Sequence, residues 1–537
     1  MSRGYLKKEQ DISDKIKEMS EYAEEILRIE NFSEKLADYI TKGYFIIPTP
    51  CWTNFYKESK YSSISCFGMY VGDSVDRILY SNSEMGMESK VGGGTSGFFA
   101  LRPRGSEISG GGITNGAVSF METFQTTSRI ISQASRRGHF AATLDIHHGD
   151  IDEFLRIRGD GHPIQDLSFA VSIDDKFMED LLQEDKRSMD LWARIIESRF
   201  ATGFPYIFFK DTVNKNKPDV YKDLNLNVWH SNMCCEIALP NSDEESFVCC
   251  LLGMNLELYD EWKDTDAVEV GIYFMDAMLT DFINKNKDVP YMDRAVKFAE
   301  RHRAVGLGAS GYHSYLQSKN IPFESFEANL HNKMIFKNIR DQAQNASIKM
   351  AIEFGKPEIL SDSKYNRRHS TLMAIAPNTS SSFIIGQQSQ SIEPYVSNYY
   401  VKDVAKTRVE IKNPYLKKLL KEKNQDTDEV WKSILFHSGS VLHLDFLSEE
   451  EKNVFKTYTE INQYEIINQA SDRQKYIDQS QSLNLMIPVG TDPDDVSAVM
   501  LYAWQKDIKT LYYQLNVNVA QDFTNSLFKE ECVACAG

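Results

Sequence analysis

Short apolar runs at residues 167 to 173, 206 to 209, 247 to 252 and 371 to 375 are separated by stretches with helical periodicity, such as 189 to 198, 268 to 284 and 329 to 354. Runs of this kind read as buried strands, and strands that alternate with helices build sheets covered on both faces. An α/β protein is therefore expected, either a barrel or a doubly wound sheet. With 537 residues, 42% of them hydrophobic, the chain has ample material for a large core. A formal net charge of −17 argues against a general binder of nucleic acid or of anionic membranes. The first nine residues lack the apolar core of a secretory signal, and no apolar run approaches membrane-spanning length, so a cytoplasmic location is expected. In that compartment, eight cysteines read as reactive or buried thiols and not as a disulfide scaffold.

Residues 1 to 47 read as a small helical region. Ile16, Met19, Ala23, Ile26 and Leu27 recur at helical spacing, and a second helix is expected from an N-cap at Ser33, through Leu36, Tyr39 and Ile40, to Gly43. Between 91 and 116 glycine is frequent but interrupted by Phe98, Phe99, Leu101 and Ile113, a pattern of tight turns and not of a flexible linker. A helix is expected over 118 to 134 with an apolar stripe of Met121, Phe124, Ile131 and Ala134. Asp492-Pro493-Asp494-Asp495 is a strong helix start, and a strand is expected over 510 to 515. His147-His148-Gly149-Asp150 has no further ligands at a metal-site spacing, and no metal site is assigned.

Chemistry concentrates in Ser231-Asn232-Met233-Cys234-Cys235-Glu236-Ile237-Ala238-Leu239-Pro240. Read as extended backbone, this stretch puts Asn232, Cys234 and Glu236 on one side and Cys235 on the other, so an amide, a thiol and a carboxylate share a face. The plainer alternative is a half-buried strand that uses cysteines as small hydrophobes. Further thiols lie at Cys66 in Ser65-Cys66-Phe67-Gly68, at Cys249 in Val248-Cys249-Cys250-Leu251, and in the closing Cys532-Val533-Ala534-Cys535. Lys509-Thr510-Leu511-Tyr512-Tyr513-Gln514 adds two adjacent phenols, and Ala376-Pro377-Asn378-Thr379-Ser380-Ser381-Ser382 forms a hydroxyl-rich turn after an expected strand. Singly, each has an ordinary structural explanation. In this order and with these residue types, they resemble the motifs of the class I ribonucleotide reductase large subunit, from about Pro48 to the C-terminus.

That resemblance implies a ten-stranded α/β barrel of two five-stranded halves, with the radical cysteine on a loop threaded through the centre. It divides the chain into residues 1–47, a helical region without the family's N-terminal ATP-cone, residues 48–524, a catalytic barrel with specificity site and dimer helices, and residues 525–537, a redox tail. Cys234 would carry a thiyl radical, Glu236 would act as general base and Asn232 would orient the substrate. Cys66 and Cys249 would supply the reducing equivalents, Cys532 and Cys535 would restore them, and Tyr512 and Tyr513 would relay the oxidising equivalent. Thr49, Ser65, Pro377, Asn378, Thr379, Ser380 and Ser381 match substrate-binding positions, whereas Asp73, Arg102 and Arg137 match the allosteric specificity site for a dNTP or ATP effector. The loop Ser132-Gln133-Ala134-Ser135-Arg136-Arg137-Gly138 departs from the commonest glycine-rich form. The implied activity is reduction of ribonucleoside diphosphates, in a homodimer with no cofactor bound in this chain. A dimetal-containing small subunit would supply the radical, and thioredoxin or glutaredoxin would reset the tail. A cobalamin-dependent reductase and a nucleotide-binding regulatory subunit with structural thiols are the competing readings.

Overall fold

A computed structural model describes residues 10–133, 136–378, 388–404, 407–488 and 490–517. Nine strands form its main sheet: β1 (Phe45–Ile46), β2 (Cys66–Val71), β3 (Gly94–Phe99), β4 (Phe140–Asp145), β5 (Ser168–Ile173), β6 (Tyr206–Phe209), β7 (Phe247–Asn255), β8 (Val305–Ser310) and β9 (Thr510–Leu511). Strands β2 to β6 lie side by side, each parallel to the next. Intervening helices such as Val75–Lys90 and Lys186–Thr202 provide the crossovers that parallel pairing requires.

A second half runs the other way. Strand β7 is antiparallel to β2 and parallel to β8. Beyond β8 the pairing continues through single parallel bridges, Leu307 with Met373 and Ile375 with Gln481. The Tyr512 N–H then donates to the Leu483 carbonyl at 2.8 Å, and β9 pairs antiparallel with β6. The ring thus closes as a ten-stranded barrel, its second half made of β7, β8, the segments around 371–375 and 479–483, and β9. The strand expected at 371 to 375 exists only as bridged, irregular backbone, although Leu372 to Ile375 are buried.

Local chemistry explains several boundaries. Asp492 caps the helix Pro493–Gln505 by accepting from the Asp494 N–H, with proline at the first turn. The 91–116 stretch is not turns alone, because its first half is strand β3. There a Cβ on Gly97 would stand 2.9 Å from the Phe140 ring, so glycine permits close packing of neighbouring strands. Gly116 fits the turn expectation: φ is 84°, and a Cβ would meet Asp150 Oδ2 at 2.4 Å.

The helices Ile12–Leu27 and Phe32–Thr41 pack on the outside of helix Ala267–Asn286, where the Tyr22 hydroxyl donates to Asp281 at 2.6 Å. Ser33 is not the N-cap. It lies inside the second helix, and its hydroxyl and N–H both donate to Glu24 at 2.7 Å, tying the two helices together. The helix expected over 118 to 134 spans Ala117–Ile130 and stops where Ile131 turns extended. A feature not anticipated is a satellite core of Tyr399, Leu416, Leu420, Trp431, Ile434 and neighbours, separate from the barrel core. Among the described residues, no helix is long and apolar enough to cross a membrane.

Candidate active site

The 231–240 segment is a buried loop inside the ring, not the extended strand expected from alternation. The Cys235 N–H donates to the Asn232 carbonyl at 3.1 Å and Cys235 has a φ of 67°, so the chain makes a tight turn at Met233 and Cys234. Asn232 holds the turn together, its Oδ1 accepting the Ile237 N–H at 3.0 Å. Barrel strands pin the loop from outside. The Thr510 hydroxyl donates to the Cys235 carbonyl at 2.9 Å, the Ser480 N–H to the Glu236 carbonyl at 2.8 Å, and the Ser482 hydroxyl to the Cys234 carbonyl.

Around this turn the structure gathers residues distant in sequence. The Asn232 amide donates to Cys66 Sγ at 3.1 Å, the Tyr512 hydroxyl to Cys234 Sγ at 3.6 Å, and the Ser482 hydroxyl, whose single hydrogen is shared with the Cys234 carbonyl, to Glu236 Oε2 at 3.2 Å. Cys66 and Cys249 are direct partners in the antiparallel ladder between β2 and β7. Facing residues in such a ladder have Cα atoms about 5 Å apart, a span that a disulfide bridges. The six described cysteines are buried in the interior, and no disulfide joins any two of them. Burial pushes the Cys249 thiol well up from its ordinary range; a hydrogen bond from Gln479 opposes this and the nearby Glu236 carboxylate adds to it.

Tyr512 and Tyr513 do not sit within a strand. They form the step between β9 and the short strand Gln514–Val517, where the ladder breaks and the two rings lie tilted at 56° with centroids 4.3 Å apart. Tyr206, at the start of β6, completes a three-ring cluster at 4.8 Å from Tyr512 and 5.0 Å from Tyr513.

Strand β2 links this interior to the surface. Two residues beyond its end, Asp73 accepts from the Arg102 backbone N–H at 3.0 Å and from Arg102 Nε at 2.7 Å. Their side chains are 36% and 39% exposed, and Arg102 Nη1 also donates to the Glu107 carbonyl. Arg137 belongs to a two-residue strand paired with Ser132–Gln133, and its side chain lies outside the described residues.

Thr49 opens the buried helix Thr49–Asn54. Ser65 is buried next to Cys66, and among the described residues its hydroxyl has no hydrogen-bond partner. Pro377 and Asn378 follow the 371–375 segment; Asn378 has a φ of 49° and its amide donates to the Ala309 carbonyl at 3.4 Å. Thr379, Ser380, Ser381, Cys532 and Cys535 lie outside the described residues. His147 pairs with Asp174 at 2.9 Å and His148 with the Leu101 carbonyl at 2.7 Å.

Sequence reasoning passed over Ser482, Thr510, Gln479 and Tyr206. A signal was present for three of them: Gln479-Ser480-Gln481-Ser482 is a polar quartet set directly before Leu483-Asn484-Leu485-Met486-Ile487, which is apolar apart from Asn484, and Thr510 lies within the motif Lys509 to Gln514. Tyr206 looked like one more residue of an apolar strand.

A family model described as "Ribonucleotide reductase, barrel domain" matches residues 64–189, 183–369 and 361–514. The putative ribonucleoside-diphosphate reductase large subunit of Frog virus 3 is 35% identical over 533 residues, covering 94% of this chain and 92% of that one. The large subunit of Invertebrate iridescent virus 3 is 32% identical, covering 90% and 88%. Among solved structures, the class Id ribonucleotide reductase alpha subunit of Actinobacillus ureae is 47% identical with a TM-score of 0.91, over 96% of both chains. The chain belongs to the ribonucleotide reductase large-subunit family.

Proposed function

We infer that this chain is the catalytic subunit of a ribonucleoside-diphosphate reductase and that the residues gathered around the buried turn perform the reduction. The observation that carries the reading is the convergence on one loop of Tyr512 at 3.6 Å from Cys234, Asn232 at 3.1 Å from Cys66, and Cys66 facing Cys249. A sulfur radical on Cys234 removes the 3′ hydrogen of the ribose. Glu236, held by Ser482, takes the 3′-hydroxyl proton, and the 2′ hydroxyl leaves as water with a proton from a thiol of the Cys66–Cys249 pair. Those two thiols give two electrons and two protons and end as a disulfide, while the 3′ hydrogen returns from Cys234.

The oxidising equivalent comes from a partner small subunit through Tyr513 and Tyr512. A phenol against the radical thiol is what supply from outside the chain requires, and this favours the class I reading over a cobalamin-dependent one. The Thr49, Ser65 and Pro377 to Ser381 positions hold the substrate, with a diphosphate taken at the hydroxyl-rich turn. A dNTP or ATP effector binds at Asp73, Arg102 and Arg137. The helices Val75–Lys90 and Ala117–Ile130 offer Val75, Leu79 and Ile130, each more than half exposed, as the apolar face of a homodimer. Residues 1–47 serve the barrel through the docked helices Ile12–Leu27 and Phe32–Thr41, and residues 525–537 serve as the redox tail. Eight cysteines used as buried or reactive thiols fit the reducing cytoplasm, where thioredoxin or glutaredoxin is at hand.

The test is CDP reduction by the chain mixed with its small subunit. With thioredoxin present, turnover is expected to continue, whereas Cys532→Ser with Cys535→Ser is expected to stop after roughly one dCDP per prereduced site. Absence of dCDP from the unaltered pair would refute the catalytic reading, and undiminished turnover in the tail variant would refute the shuttle.

A further inference from the structure

Gln479 is buried in the interior, and its side-chain amide is fixed on every side. Its Oε1 accepts the Ala238 N–H at 3.2 Å, and its Nε2 donates to the Val305 carbonyl and the Thr371 hydroxyl, both at 3.1 Å, which sets the orientation of the amide. The same nitrogen lies 3.7 Å from Cys249 Sγ, so one of its two hydrogens is shared between an oxygen and the sulfur. Its backbone is held equally firmly. The Gln479 N–H donates to the Met373 carbonyl at 3.2 Å, and its own carbonyl accepts from Lys509 Nζ at 2.8 Å and from Gln474 Nε2 at 3.0 Å. Lys509 is buried, which pushes its amine down to about 8, and it donates to three backbone carbonyls, of Asn216, Asp478 and Gln479, so an amine that titrates near neutrality braces the residue that points at the thiol.

The Cys249 thiol donates weakly to the Cys250 carbonyl at 3.7 Å and accepts from Gln479. Titratable groups facing it are Cys66 across the ladder, the Glu236 carboxylate, the neighbouring Cys250 thiol and the Tyr221 phenol. None of these is a cation. When a disulfide between Cys66 and Cys249 opens by attack at Cys66, the Cys249 sulfur departs with an electron pair, and the Gln479 N–H answers the charge there, as the Asn232 amide does at Cys66.

We propose that Gln479 is a positioning residue of the reductive step, whose amide N–H holds the Cys249 sulfur opposite Cys66 and stabilises the charge on it when the disulfide is opened. The proposal rests on the reading of Cys66 and Cys249 as the reducing pair. A thiolate of an incoming dithiol attacks Cys66 Sγ, a new sulfur–sulfur bond forms there, and the Cys66–Cys249 bond breaks. Cys249 leaves with the electron pair and takes up a proton. The second thiol of the dithiol then attacks the mixed disulfide, its proton passing to the released Cys66, and the dithiol ends as a disulfide having given two electrons.

The experiment uses the full chain carrying Cys532→Ser and Cys535→Ser, with its small subunit, so that the only reductant is added dithiothreitol. One burst of CDP reduction oxidises the pair, and the rate at which dithiothreitol restores a second burst is measured from about pH 6.5 to about 9, normalised to its rate on a small disulfide. Gln479→Leu removes the donor, and Gln479→Glu keeps the shape but donates only while protonated. The Lys509 amine titrates within this pH range in all three proteins alike. Gln479→Leu is expected to be slower by about fivefold or more at every pH, because a worse-stabilised leaving sulfur departs more slowly. Gln479→Glu is expected to match the Gln479 protein at the acid end and to slow as its carboxyl ionises. First-burst amplitude and melting temperature should stay as in the Gln479 protein.

Equal restoration rates in all three proteins would overturn the proposal while leaving the reading of the pair intact. Parallel slowing of both variants at all pH values would also overturn it, since a packing role has no such pH contrast. So would loss of the first burst in folded variants, which would put Gln479 in the radical step. No burst in the Gln479 protein itself would remove the reading of Cys66 and Cys249, and the proposal with it.

Discussion

The two ends of β2 are built on opposite physical terms. At its start, Cys66 lies in the closed interior, donated to by Asn232 and faced by Cys249. Just past its other end, Asp73 and Arg102 form an ion pair whose side chains are more than a third exposed. The buried end is held by many bonds, each worth about 1 kcal/mol net and expensive to leave unmade inside. The exposed pair contributes roughly 0–1 kcal/mol and is screened by salt. A site that must control a reactive sulfur gains from rigid, dry surroundings, whereas one that must register whether an effector is present gains from partners that cost little to rearrange. In the function proposed above, the strand carries both and makes a short covalent path between them.

The contrast can be broken most severely through Tyr512. Tyr512→Phe keeps the ring and its packing but removes the hydroxyl that reaches Cys234, so dCDP formation should fall to background while the melting temperature is retained. Substantial activity would mean that the buried end needs no relay. Ser482→Ala is expected to have a middling effect. It withdraws the hydrogen bond to Glu236, and losing a bond to a charged group costs about 1.5–3 kcal/mol, a roughly 10- to 100-fold fall in kcat. A loss below about threefold would show that Glu236 is positioned by other contacts.

The smallest effect on the basal reaction belongs to the exposed end. Asp73→Ala should change stability by no more than about 1 kcal/mol and leave effector-free CDP reduction within about twofold. The response of substrate preference to added dNTP should disappear. Equilibrium binding of dATP to the two proteins sharpens the comparison: loss of binding in Asp73→Ala is expected, and undiminished dATP binding would contradict the placement of the effector at Asp73.

Much of this was legible in the residues, unevenly. The run Tyr206 to Phe209 read as a strand at its true bounds because both its faces are buried, and Asp492-Pro493 announced its helix through cap chemistry alone. The reactive residue types stood out because thiols, an amide and a carboxylate crowd a short stretch. Pairing was not legible: nothing local says that Cys249 faces Cys66, or that the second half-barrel would be carried partly by single bridges at Met373, Ile375 and Gln481. The turn at Cys235 was missed because strand alternation presumes extended backbone, and this loop is bent by partners some 250 residues away at Ser482 and Thr510. Ser33 was misjudged for the same reason: as a local cap it is plausible, but Glu24 of the preceding helix claims it.

The central claim is that the sulfur under Tyr512 performs the chemistry, and adjacent cysteines provide the control for it. Cys234 and Cys235 are both buried, but Tyr512 reaches Cys234, while Cys235 offers its carbonyl to Thr510. The direct measurement is dCDP formation by Cys234→Ser and by Cys235→Ser, each with the small subunit and a dithiol reductant. No product from Cys234→Ser, together with turnover in Cys235→Ser within about tenfold of the unaltered protein, is the predicted result. An active Cys234→Ser beside an inactive Cys235→Ser would contradict it.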